Sequence, residues 1–337
     1  GGARRPREPG GARRPREPGG ARRPREPGGA ATLIPPFDAA VGPQGYAWWY
    51  IDALSDDRVH GLTIIAFIGS VFSPYYWASG RGDPLDHVAL NVALYGPQGR
   101  WAMTERGRDS LVRTRDTLAI GPSAMRWEGG ALIVDFAEIG APIPRRLRGR
   151  ARIVPENLNA EAFPLDPAGR HVWQPVAPRA RVEVTLTEPA LSWTGTGYID
   201  SNRGREPLER GFADWQWSRA HTRTDTAVFY EGLRRDGTEF ALALRFDAQG
   251  RPEPVAAPPE CPLPRTGWRV ERRTRADAGT QAAVIRTWED SPFYARSTVA
   301  ATLFGEPVLS VHESLSLDRF RHPLVKAMLP FRMPRWQ

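Results

Sequence analysis

From about residue 46 to residue 317, short segments rich in Val, Ile, Phe, Tyr and Trp recur about every 10–15 residues, and Gly, Pro or Asp-Gly turns separate them. That punctuation leaves no room for a long helix, and 3.6-residue apolar patterns are scarce. Strands are expected at 46–54, 59–72, 87–95, 131–136, 171–176 and 181–186, and again at 195–201, 213–221, 226–233, 238–247, 282–289, 294–303 and 308–317. The turns include SDDR at 55–58, GPQGR at 96–100 and RRDG at 234–237. This is an all-β signature of barrels or sandwiches with few helices. The spacing divides naturally into two antiparallel β-barrel domains packed together, 31–178 and 179–322, followed by an amphipathic segment at 323–337.

Charge matters chiefly at the N-terminus. The first 27 residues are three copies of GGARRPREP. No apolar side chain there is larger than Ala or Pro, so residues 1–30 are expected to be disordered. They show no apolar run of the secretory kind. Their nine Arg and three Glu supply +6 of the chain's +8, leaving +2 for the body. The body therefore lacks the basic excess that nucleic-acid binding needs. Lys326 is the single Lys among 46 basic residues, and Cys261 the single Cys, so no disulfide framework exists.

Gly61 to Gly80 is uncharged for twenty residues, the length that crosses a bilayer. Pro74, the glycines and the β-branched enrichment read instead as a strand buried on both faces with a break at Ser-Pro. The closing HPLVKAMLPFRMPRW combines Leu, Met, Phe and Trp with Lys and Arg. Such a segment suits a membrane interface or the side of a barrel.

Standard cofactor motifs are missing. GTGYID imitates the start of GxGxxG, but Asp200 replaces the third glycine and no βαβ unit surrounds it. The six histidines show no metal-ligand spacing, so no metal centre is expected. Arg81-Gly82-Asp83 reads as an accidental tripeptide in a turn. The aromatic load stands out: twelve Trp, eight Tyr and thirteen Phe. Trp48, Trp49 and Tyr50 are consecutive, while Trp215 and Trp217 share a strand face, as do His171 and Trp173. Such residues fill cores, and gathered in a barrel they suit a long apolar ligand or one that becomes cationic.

Within WTGTGYIDSN, Trp193 to Asn202, an Asp stands among aromatic and apolar residues. On a strand, Tyr198, Asp200 and Asn202 share one face. Burial there raises a carboxyl pKa by up to about 3–5 units from about 3.9 and keeps it protonated. The alternative is an Asp that caps backbone amides near 201–204. Asp52 and Asp214 are two further acid candidates.

The runs GYAWWYIDALSDDRVHGLTIIAFIGSVFSPYYWASGRGDP, HVWQP, GTGYIDSNRGREPLERGFADWQWSRAH and DSPFYAR closely resemble the carotenoid 1,2-hydratase (hydroxyneurosporene synthase) family, over about residues 42–321. The resemblance implies two lipocalin-like β-barrel domains. It also implies hydration of the terminal C1=C2 bond of an acyclic carotenoid without any cofactor. Residue by residue, it points to His171, Trp173, Tyr198 and Asp200 as catalytic. The chemistry suggests Asp200 as acid, His171 as base or relay, and Trp173 and Tyr198 as π-faces for a cation. Trp48, Trp49, Tyr50, Trp193, Trp215, Trp217 and Asn202 are expected to bind substrate. The partners would be the carotenoid and water, with peripheral contact to a bacterial cytoplasmic or photosynthetic membrane, since the substrate is insoluble in water. A carrier that binds a polyene unchanged, or a cyclase or isomerase working through a similar cation, remains open on the residues alone.

Overall fold

The computed structural model describes residues 1–2 and 34–336, so the disorder expected of the N-terminal repeats falls outside the described residues. What is described is mostly strand, as the turn spacing predicts. The first sheet is a curled half-barrel. Its antiparallel path runs from Arg100–Arg106 through Val88–Tyr95, Gly61–Ile68, Tyr46–Ser55, Ala190–Gly204 and His171–Glu188 to Arg146–Pro155 and Ala131–Ile139, then on to short strands ending at Leu111–Arg113. The second sheet has seven strands, with Phe212–His221 at its centre between Thr226–Arg234 and Glu306–Ser316.

The division between sheets differs from the expected boundary at 178/179. That point lies inside the single strand His171–Glu188, and Ala190–Gly204 also belongs to the first sheet. The chain passes to the second sheet through the short helix Leu208–Gly211. Within His171–Glu188 the pairing with Ala190–Gly204 is interrupted only locally. Register shifts occur between Gln174 and Ala180, where Pro175 and Pro178 have no N–H to give to the ladder. The segment 323–337 is not a free tail either. It forms the helix Pro323–Arg332, and Arg335–Trp336 then pairs in parallel with Arg100–Arg106.

The uncharged stretch 61–80 becomes the strand Gly61–Ile68 and the short helix Pro74–Ala78. Ser73 caps that helix by accepting from the amides of Tyr75 and Tyr76, with Pro74 at its first position. Among the described residues, no helix is long and apolar enough to cross a membrane.

Alternation sorts the aromatic residues between two cores. On Tyr46–Ser55, Trp49 and Ile51 face the core of the first sheet with Ile199, Val182 and Val134. Tyr46, Trp48 and Tyr50 face the other way, toward Tyr198, Trp173, Trp215, Trp217 and Tyr230. This second core joins the two sheets, and the candidate site lies within it.

Candidate active site

A cavity of about 330 Å³ opens between the sheets. The strand Ala190–Gly204 is its wall on one side, where the period of 2 puts Tyr198, Asp200 and Asn202 on the same face as expected. Asp200 and Asn202 line the cavity, together with Trp48 and Tyr50 from the adjoining strand and Trp215, Trp217 and Tyr230 from the second sheet.

Asp200 is buried, and among the described residues no cation pairs with it. The Trp173 indole N–H donates to its Oδ2 at 2.9 Å, and the Tyr198 hydroxyl donates to the same oxygen at 3.0 Å. Asn202 Nδ2 reaches Oδ1 at 3.4 Å. Burial pushes the carboxyl up to about 8, outweighing the two donors that favour the charged form; Glu313 and Asp52 add to the rise by like-charge repulsion. Two donors on Oδ2 leave Oδ1 as the seat of the acid proton.

Trp173 and Tyr198 therefore lie behind the acid rather than beside the cavity. Each contributes a hydrogen bond to Asp200, and the aromatic residues that line the cavity near it are Trp48, Trp215, Trp217 and Tyr230. Tyr198 stays protonated, its pKa raised well above the ordinary value first by burial and then by the neighbouring Asp200.

His171 also stands back from the cavity. Its Nε2 faces Glu206 Oε1 at 3.2 Å and its Nδ1 faces the Tyr46 hydroxyl at 2.9 Å. A carboxylate on one side and a hydroxyl on the other fix the tautomer: Nε2–H donates to Glu206 and Nδ1 accepts from Tyr46. Burial lowers its pKa, so the ring is neutral near pH 7. The close packing explains two glycines of GREPLERG and its approach. A Cβ on Gly211 would stand 2.6 Å from His171 Nε2, and one on Gly204 would stand 2.9 Å from Nδ1. In this geometry His171 ties the end of the Asp200 strand to the chain's crossing between sheets.

Of the expected substrate-binding residues, Trp48, Tyr50, Trp215, Trp217 and Asn202 line the cavity. Trp49 and Trp193 do not, because both belong to the opposite face of their strands. Trp49 packs on Phe37 at 5.0 Å, and Trp193 lies against the core of the first sheet. The two other acid candidates are ion-paired. Asp52 is held by Arg219, with Nε 2.9 Å from Oδ2, and stands 3.6 Å from Arg296. Asp214 sits past a bulge in its strand and pairs with Arg273 at 3.2 Å outside the cavity. Arg81 of the RGD tripeptide is buried on Glu209 at 2.5 Å.

Sequence reasoning missed Glu313. It lines the same cavity, accepts from the Tyr50 hydroxyl at 2.6 Å and pairs with Arg296, which also donates to that hydroxyl at 2.6 Å. In VHESLS nothing marks it, since an acidic residue on an alternating strand is ordinarily solvated. Nearby, the Trp217 indole N–H is buried and has no acceptor among the described residues. The cavity thus holds a neutral acid and an arginine-bound carboxylate among aromatic faces. Among the described residues, no three His, Cys, Asp or Glu gather as a metal site.

Known proteins resemble this chain over most of its length. Residues 64–337 match the family described as carotenoid hydratase CrtC. An acyclic carotenoid 1,2-hydratase of Thiocapsa roseopersicina is 59% identical over 306 residues, covering 89% of this chain and 76% of that protein. One from Rubrivivax gelatinosus is 52% identical over 309 residues, with the same two shares covered. A crystal structure of an AttH protein from Nitrosomonas europaea superposes with a TM-score of 0.57 at 15% identity, covering 84% of this chain and 99% of that one. That last likeness shows the fold alone.

Proposed function

The chain belongs to the carotenoid hydratase CrtC family, and from that premise we propose that it adds water across the terminal C1=C2 bond of an acyclic carotenoid by general acid catalysis. The observation that carries the mechanism is Asp200, a carboxyl held at about 8 in the wall of an aromatic cavity. An isolated trisubstituted alkene gives a nucleophile nothing to attack until carbon has been protonated. The Asp200 Oδ1–H proton passes to C2, the π electrons form the new C2–H bond, and C1 is left as a tertiary cation. The faces of Trp48, Trp215, Trp217 and Tyr230 surround that charge, each ring worth about 2 kcal/mol when desolvated. Trp173 and Tyr198 hold two hydrogen bonds on Oδ2 that strengthen as Asp200 becomes a carboxylate.

Water then bonds to C1 and loses a proton. Glu313 is the acceptor in this reading: it pairs with Arg296 and accepts from Tyr50 in the same cavity as the acid. The proton returns to Asp200 through water, and both carboxyl groups end as they began. His171 acts through the strand it braces and not on the reacting atoms.

The test is expression in a host that makes lycopene or neurosporene, beside Asp200→Asn, with carotenoids read by mass. A one-water adduct in the parent and none in the variant is expected. Unchanged pigment bound to both folded proteins would instead mark a carrier, and a new ring without added mass a cyclase.

A further inference from the structure

We propose that the face built from the helix Pro323–Arg332 and Trp77 docks on an anionic phospholipid bilayer, so that the reacting end of the polyene passes from lipid straight into the cavity. The proposal rests on the reading of this site as one for a long apolar polyene.

The helix has two apolar faces. Leu329 and Met333 are buried, and with Val325 they line the cavity. Leu324, Met328 and Phe331, at i, i+4 and i+7, form a second stripe that points to solvent, 69%, 47% and 73% exposed. A helix whose inner face already packs has no structural need for such a stripe. Trp77 adjoins it at 50% exposure, with the Lys326 ammonium 4.3 Å above its ring. Met328 belongs to both faces, since it lines the cavity as well, and Trp268, also 50% exposed, lines the cavity beside it. The exposed apolar surface is therefore continuous with the cavity mouth.

Charge selects the occupant. From Arg319 to Trp336 the chain carries Arg319, Arg321, Lys326, Arg332 and Arg335 and no acidic residue. Arg332 pairs with Glu289, Arg335 with Asp86 and Glu105, and Lys326 stands 3.9 Å from Glu209, so Arg319 and Arg321 are the two left without a carboxylate among the described residues. An exposed apolar stripe with unpaired Arg close by in the chain suits a helix lying in the headgroup region of an anionic membrane. Size argues the same way. About 330 Å³ is the lower end of ligand cavities, so it holds one end of a long polyene while the rest stays outside the mouth. Water does not solvate that remainder, and a bilayer does.

The test uses the full chain and vesicles of brominated phosphatidylglycerol, with tryptophan quenching as the readout. The Arg-rich repeats contain no Trp, so quenching reports the folded face and not attraction by the N-terminus. Parent protein should be quenched, and Leu324→Ser with Phe331→Ser should bind on the order of a hundredfold more weakly. Both proteins should hydrate a short, water-soluble prenyl alcohol at equal rates, which separates docking from folding and chemistry. The proposal is overturned if the parent is not quenched, if the double variant is quenched like the parent, if brominated phosphatidylcholine binds as tightly, or if the stripe instead joins two copies in lipid-free sedimentation. Intact quenching with no hydration by either protein would sink the hydratase reading and leave the lipid surface standing.

Discussion

Replacing Asp200 by Asn should remove the chemistry and leave the protein more stable in alkali. The amide keeps an acceptor for the Trp173 and Tyr198 donors, so the wall of the cavity is preserved. What disappears is a titration. An ordinary Asp carboxyl sits near 3.8 and this one is pushed up to about 8. At about 1.4 kcal/mol for each tenfold in proton affinity, the gap is on the order of 5 kcal/mol. Between those two values the folded state holds a proton that the unfolded state has lost, so stability falls as pH rises. Asp200 thus contributes stability that is fully present below about 4 and gone above about 8. His171, His221 and His312 have the opposite sign. Burial lowers all three, and they cost stability as pH falls through the unfolded histidine value near 6.5. They are common to parent and variant, so the difference between two urea titrations isolates Asp200. That difference should move by several kcal/mol in favour of the variant from pH 5 to pH 8. The parent's hydration rate should be flat below pH 8 and fall about tenfold per unit above it. A difference that stays flat from pH 5 to pH 8, or a rate that climbs above pH 8, refutes the buried-acid argument.

Glu313→Gln should lower the yield of hydrated product at least a hundredfold, yet in D2O the recovered alkene should still take up deuterium at its end group; undiminished hydration would remove Glu313 from the reaction. Arg219→Met strands the Asp52 carboxylate in a buried site, which should cost about 3–5 kcal/mol and roughly 10 °C in Tm by calorimetry. Asp52→Asn in the same chain should recover much of that loss, and no recovery would mean that the pair's charge is not what holds this region. Gly211→Ala should lower Tm by crowding the His171 ring. The pH at which its hydration rate begins to fall should remain that of the parent, and a shifted profile would give His171 a direct part in proton transfer.

Strand periodicity made half of this site legible. The period of 2 put Tyr198, Asp200 and Asn202 together, and it held because the strand Ala190–Gly204 is regular through those residues. The same rule, applied to consecutive Trp48, Trp49 and Tyr50, already separates Trp49 from its neighbours; treating the three as one cluster obscured this. The domain boundary was harder to read. Proline and a pause in hydrophobic pattern at 175–181 look like a linker, whereas in a long strand two prolines mark a bulge that the flanking ladder spans.

The roles of the acidic residues were not legible, because each is decided by a neighbour far away in sequence. Asp52, Asp200 and Glu313 are all buried or nearly so. Asp52 meets the Arg219 guanidinium 167 positions later. Glu313 meets Arg296 from the adjoining strand, and Tyr50 from the other sheet. Asp200 meets an indole and a phenol, which can stabilise a carboxylate only partly against burial. A cation beside Asp200 would lower its pKa and make it useless as an acid, and the loss of Arg296 would take from Glu313 its ion-pair partner. The division of labour in this cavity therefore comes from where the arginines are placed, and the most informative feature around Asp200 is that no arginine among the described residues pairs with it.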